Sequence, residues 1–167
     1  MQRHPALAPL SREHHFALQL AGRLQKKRPP SSPKTIEPTA RDLREQVRAA
    51  FPDKLDAHFD VEERLIVPAV YGRDIELDAL CSDVVREHAE MRALASELSA
   101  PGLGDAQCDE LLVRLGAALE AHVRLEERLF FPRIESVLDE AALGALSLSI
   151  SGDATGRREG RLPAARK

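Results

Sequence analysis

The chain has 167 residues, a formal net charge of −3, one Tyr and no Trp. That length suits one domain with a substantial core, and the charge gives no global reason to expect nucleic acid or an anionic membrane as partner. No apolar run approaches the ~20 residues of a membrane span, and Met1-Gln-Arg-His-Pro5 does not lead into a signal-peptide core.

Leu, Ala, Glu and Arg dominate and β-branched runs are few, which favours an all-helical, soluble, cytoplasmic protein. The first predicted helix starts at Ser11, a good N-cap, and runs to about Lys27. Arg28-Pro-Pro-Ser-Ser-Pro33 is read as an exposed loop, since proline removes donors and crowds the preceding turn. Thr39, with Asp42 three residues on, caps a second helix that reaches about Val70, with Gly72 just past its end. Pro52 lies inside that span and predicts a kink or a split, with the His58 segment starting afresh near Phe51.

A third helix is expected from about Asp74 to Ser99, stopped by Pro101-Gly102. The fourth begins at Asp105 and continues past Glu126. Pro132 near its end, like Pro68 in the second helix, costs one backbone hydrogen bond. A short fifth helix, Asp139 to about Ser147, follows. From Ser151 the chain is Gly- and Arg-rich, and Arg157, Arg158, Arg161, Arg166 and Lys167 make a solvated, fraying basic tail. Short loops elsewhere predict an up-down-up-down antiparallel four-helix bundle over 7–138, with a short helix and flexible tail over 139–167. Cys81 and Cys108 have no metal-binding or redox spacing; Cys81 is read as a small buried hydrophobe, and neither implies an oxidising compartment.

The most informative feature is an internal repeat. His58-Phe-Asp-Val-Glu62-Glu63-Arg64-Leu65-Ile-Val-Pro68 returns 64 residues later as His122-Val-Arg-Leu-Glu126-Glu127-Arg128-Leu129-Phe-Phe-Pro132. Arg12-Glu13-His14 likewise returns as Arg86-Glu87-His88. A His and a Glu four residues apart share one helix face. The predicted core stripes place these groups among apolar residues. They read Leu10, His14, Ala17, Ala21, Leu24, then Val47, Phe51, Leu55, His58, Glu62, Leu65. The third and fourth read Leu77, Cys81, Val84, His88, Met91, Ala95, Leu98, then Leu111, Leu115, Ala118, His122, Leu125, Leu129, with Glu126 beside the last.

One buried His is usually a hydrogen-bonded core residue. Four converging on two carboxylates are another matter, because an ionised carboxylate in an apolar bundle needs a compensating charge. No Lys or Arg shares those stripes, and two divalent cations would supply the charge. His14, His58, Glu62, His88, His122 and Glu126 are therefore the candidate ligands. Glu63 and Glu127, like Glu13 and Glu87, either accept an imidazole N–H behind the ligands or are solvated and paired with neighbouring arginines; the second reading is favoured. His15 is a candidate extra ligand or supporting group, and His4 is not involved.

The order EH, HxxxEER, EH, HxxxEER over roughly residues 7–138 resembles the hemerythrin-like, or HHE cation-binding, family. That resemblance implies a carboxylate-bridged centre of two iron ions, with zinc or manganese as alternatives. His14 and His58 would bind one ion, His88 and His122 the other, and Glu62 and Glu126 would bridge them. The oxygen-carrying hemerythrins have a further His one turn after the third-helix ligand, where this chain has Arg92, and an Asp one residue beyond Glu126. One ion thus has fewer protein ligands and more open positions. The implied partner is a small ligand, O₂, peroxide or nitric oxide, and the oligomeric state a monomer or small homo-oligomer. An iron store or an iron- or oxygen-sensing module is the alternative. No general acid or base can be named, so enzymatic turnover stays open.

Overall fold

The computed structural model describes residues 3–25 and 38–159. Among these, the regular structure is wholly helical: α1 (Ala8–Leu24), α2 (40–70), α3 (Ile75–Ser99), α4 (105–137) and α5 (Glu140–Glu159). The first four helices form the bundle, with α1, α2 and α3 all packed on α4, and α2 also against α3. The Pro-rich segment after α1 lies outside the described residues.

α1 begins a turn earlier than Ser11. Pro9 occupies its first turn, where a missing N–H costs nothing, and no side chain caps it. Ser11 instead hydrogen-bonds Glu127 of α4. α2 opens on a reciprocal cap: the Asp42 N–H donates to Thr39 Oγ1 at 3.2 Å and the Thr39 N–H to Asp42 Oδ2 at 2.9 Å. Asp74 caps α3 by accepting from the Leu77 N–H at 3.0 Å. Gly72 and Gly102, at φ 80° and 76°, make the turns on either side of α3 in a conformation that favours glycine.

Pro52 neither breaks nor restarts α2. The chain passes through a π-helical segment, Phe51–Asp56, and stays helical. Two shorter π-helical segments follow at the repeated motif, Glu62–Ile66 in α2 and Glu126–Phe130 in α4. There the Val67 N–H donates to the Glu62 carbonyl and the Phe131 N–H to the Glu126 carbonyl, five residues back. Pro68 and Pro132 cannot donate to the carbonyls four residues before them, and their rings crowd those carbonyls; widening the turn accommodates both.

The extra residue corrects the expected stripes. Ile66 and Phe130 are fully buried, Leu65 is half-buried, and Leu129 is 56 % exposed. In α4 the core also runs through Leu119 and Val123, whereas Ala118 and Leu125 are only half-buried. The stripes of α1 and α3 are buried as expected.

The core falls into two apolar clusters on either side of a polar layer. One holds Leu20, Leu24, Leu43, Val47, Met91, Leu94, Leu111 and Leu115. The other holds Leu7, Leu10, Ile66, Val70, Leu77, Phe130, Phe131 and Ile134, covered by Leu143, Leu146 and Ile150 of α5. α5 is longer than the short helix expected, because its apolar residues continue to cover that end of the bundle. Residues 160–167 of the basic tail lie outside the described residues. In the first cluster, Gly116 lets α1 approach α4 closely: a Cβ there would sit 2.9 Å from the Ala21 carbonyl oxygen. Gln25 closes that contact by donating to the Gly116 carbonyl at 2.9 Å.

Candidate metal centre

Between the two clusters lie six buried polar side chains: His14 from α1, His58 and Glu62 from α2, His88 from α3, His122 and Glu126 from α4. Their ligand atoms form two overlapping groups, His14/His58/Glu62/Glu126 and Glu62/His88/His122/Glu126, in each of which every atom lies within 4.8 Å of every other. Both carboxylates are common to the two groups. In the first, His14 Nε2 is 3.2 Å from His58 Nε2 and 2.9 Å from Glu126 Oε2, and His58 Nε2 is 3.3 Å from Glu62 Oε1. In the second, His88 Nε2 is 3.1 Å from His122 Nε2 and 3.3 Å from Glu62 Oε2, and His122 Nε2 is 3.4 Å from Glu126 Oε1. Each glutamate thus turns one oxygen to each group.

The opposite ring nitrogens are held crosswise. His14 Nδ1 donates to Glu127 at 2.6 Å, His58 Nδ1 to Glu13 at 2.8 Å, His88 Nδ1 to Glu63 at 2.8 Å and His122 Nδ1 to Glu87 at 3.0 Å. Every acceptor is the chain neighbour of an inner residue but serves a histidine on another helix. The expected solvation and arginine pairing hold in part, since Glu13 is exposed and Glu87 lies near Arg86, but all four glutamates also accept from an imidazole. Their recurrence beside the inner residue in both repeats was the available signal.

Three of these glutamates also take an arginine, Glu87 from its neighbour Arg86 at 3.8 Å. Arg3 reaches Glu127 at 2.6 Å, and Arg92 reaches Glu63 at 2.6 Å and Asp56 at 2.6 Å. Arg3 lies over the Phe131 ring, which stacks on His14 with centroids 5.4 Å apart. Arg92 lies over Phe59, which stacks on His88 at 4.1 Å. Arg3, Phe59 and Phe131 carried no signal in the repeat. His15 is not in the group; it is exposed and bonded to Gln19 at 2.7 Å.

Since carboxylates only accept, each Nδ1 carries a proton, and a neutral ring then turns the Nε2 lone pair inward. Those lone pairs face four carboxylate oxygens, all buried and all without a hydrogen-bond partner. Such an arrangement is costly unless cations or extra protons fill it. Protonation moves in the expected direction. Burial alone would lower His14, but Glu126 and Glu127 outweigh it and lift its pKa to about 9. His58 and His122 are likewise raised against the pull of burial, chiefly by Glu62 and by Glu126 respectively. Burial would raise Glu62, yet the histidines hold it well below the carboxylate range. Burial would also raise Glu127, but His14, Ser11 and Arg3 bring it to about 2.

The spacing also suits ions. Two metal bonds of about 2.1 Å at about 90–110° set their donor atoms about 3.0–3.4 Å apart, which matches the inner distances.

The centre is reached from one side. A cavity of about 320 Å³ opens between α1 and α2, touches His14, His58 and His122, and does not include His88 among its walls. Its other walls include Leu10, Phe16, Ala17, Leu55, Phe59, Leu119 and Ile150. Lys54, its Nζ 4.2 Å from the Phe16 ring centre, stands at the mouth.

Residues 4–134 match the family model described as the hemerythrin HHE cation binding domain. No curated protein and no solved structure is significantly similar to the chain. Among the described residues no helix is long and apolar enough to cross a membrane.

Proposed function

The chain belongs to the hemerythrin HHE cation-binding family, and on that premise we propose that it is a non-haem di-iron protein binding or reacting with a small oxygen or nitrogen species: O₂, peroxide or nitric oxide. The observation that carries the reading is the pair of four-atom groups sharing both buried carboxylates. His14 and His58 would hold one ion and His88 and His122 the second, with Glu62 and Glu126 shared by both, a donor set suited to two-metal chemistry. Imidazole with carboxylate suits iron, and when bound iron would supply Lewis acidity and redox electrons.

The chain's own residues do the rest. The four Nδ1 hydrogen bonds choose one tautomer for each histidine and aim its Nε2 inward. Phe59 and Phe131 hold ring orientation by stacking on His88 and His14. The bound ions would offset the inner glutamates and present positive charge to small anions and polarisable diatomics. The cavity reaching His14 and His58 favours exchange of a small ligand over a closed iron store.

The test is to purify the chain anaerobically without chelator, quantify its metal, and add O₂, peroxide or nitric oxide while recording visible absorption. About two irons per chain and a ligand-dependent spectrum are expected. Less than one iron per chain, or a full complement of zinc, overturns the proposal, because zinc is redox-silent.

A further inference from the structure

The cavity is larger than a diatomic ligand fills. At about 320 Å³ it lies at the lower end of the range for pockets that hold small organic molecules. Leu10, Phe16, Ala17, Leu55, Leu119 and Ile150 are among the apolar residues that make up most of its lining, and those stretches offer ordered water few of the two to four partners it needs. A diatomic at the His14/His58 position would leave most of this volume without contacting atoms, forfeiting dispersion along its lining. The polar groups are segregated at two ends: the histidines at the inner end, and Lys54, Asp53 and Asp153 among the groups nearer solvent.

From this polarity we infer that the cavity binds a small amphiphile, with an anionic oxygen head at the His14/His58 ion and an unbranched apolar body along α1 and α2. The inference rests on the di-metal reading and deepens it by naming a ligand class. An anionic head would meet the bound ions at the inner end, whereas the cation at the mouth, Lys54, sits over the Phe16 ring and next to Asp53 in the chain. The apolar body fits only between the helices, because Phe59 and the tightly packed α3 close the far side of the centre.

Straight-chain monocarboxylates from formate to octanoate, titrated calorimetrically into the metal-loaded full chain, test this. Affinity should tighten about fourfold per added methylene over the first few carbons, then level or fall once the cavity is full. Ala17→Leu, which fills the cavity from α1, should shorten the optimum chain; Phe16→Ala, at its half-buried mouth, should lengthen it. Metal content and helicity measured on each variant report whether it has folded, and the native series alone decides the question if neither variant folds. Uniform affinity across the series in a metal-loaded protein overturns this inference and leaves the di-metal reading standing. Equal affinities in metal-stripped protein also overturn it, since the head then owes nothing to the ions. Failure to bind metal at all overturns both.

Discussion

The two halves of the centre present the same donors to the interior and differ in what stands behind them. The His88/His122 half is the more enclosed: His88 is fully buried, stacked on Phe59, and backed by Glu63, which is held by Arg92, itself paired with Asp56, and the cavity touches only His122 of this half. The His14/His58 half borders the cavity, and the glutamate behind His58, Glu13, is 59 % exposed. A duplicated pair of helical hairpins has thus become one nearly sealed position, touched by the cavity only at His122, and one accessible position bordered at both histidines. The inner ligands alone do not create this asymmetry. Phe59 aligns in the repeat with Val123, and Arg92 has no counterpart in α1, so the supporting residues are where the halves diverge.

Removing a shared carboxylate should erase the distinction. Glu126→Ala strips an oxygen from both groups, and the chain should fall from about two metal ions to fewer than one by elemental analysis. His88→Ala should cost mainly the sealed position, leaving about one ion. Equal retention in these two variants would break the picture of a bridged pair.

The outer glutamates sharpen the comparison. Losing a carboxylate that orients a metal-bound imidazole typically costs about 10–100-fold in metal affinity. Glu63→Ala should show that loss in competitive chelator titrations. Glu13→Ala should show less, because water can take the place of an exposed acceptor. Arg92→Leu should resemble a mild Glu63→Ala, since it frees the carboxylate without removing it.

The metal-free protein should respond to pH through the accessible half. His14 has its folded pKa raised to about 9, above an ordinary value of about 6.5. Its contribution to stability is therefore complete below about pH 6.5 and lost as the pH rises through about 9. Thermal melts of stripped protein should show a lower Tm at pH 9 than at pH 6.5. Protein loaded with metal should lack that decline, because the ions replace the protons. The smallest effect is expected at His15, where alanine should leave metal content unchanged and shift stability by no more than about 0.5 kcal/mol.

Much of this arrangement was legible before the fold was known. The stripes of α1 and α3 are buried as read, and the six inner residues meet where the doubled motif implied. The reading slipped after Glu62 and Glu126, where it placed Leu65 and Leu129 inward and the chain buries Ile66 and Phe130. A regular helical period cannot foresee a widened turn, although Pro68 and Pro132 mark where each is needed. The paired acids were underweighted for a related reason: adjacent residues on a helix point apart, so Glu63 looked solvated when judged against Glu62 alone.

Residue types and their spacing along single helices were determined by the sequence itself, because helical geometry ties each His to the Glu four positions on. Which helix supplies the acceptor for each imidazole was decided only in three dimensions. Glu13 serves His58 and Glu87 serves His122; Glu63 serves His88 and Glu127 serves His14. Those pairings depend on the axial offset between neighbouring helices. No period within one helix encodes that offset.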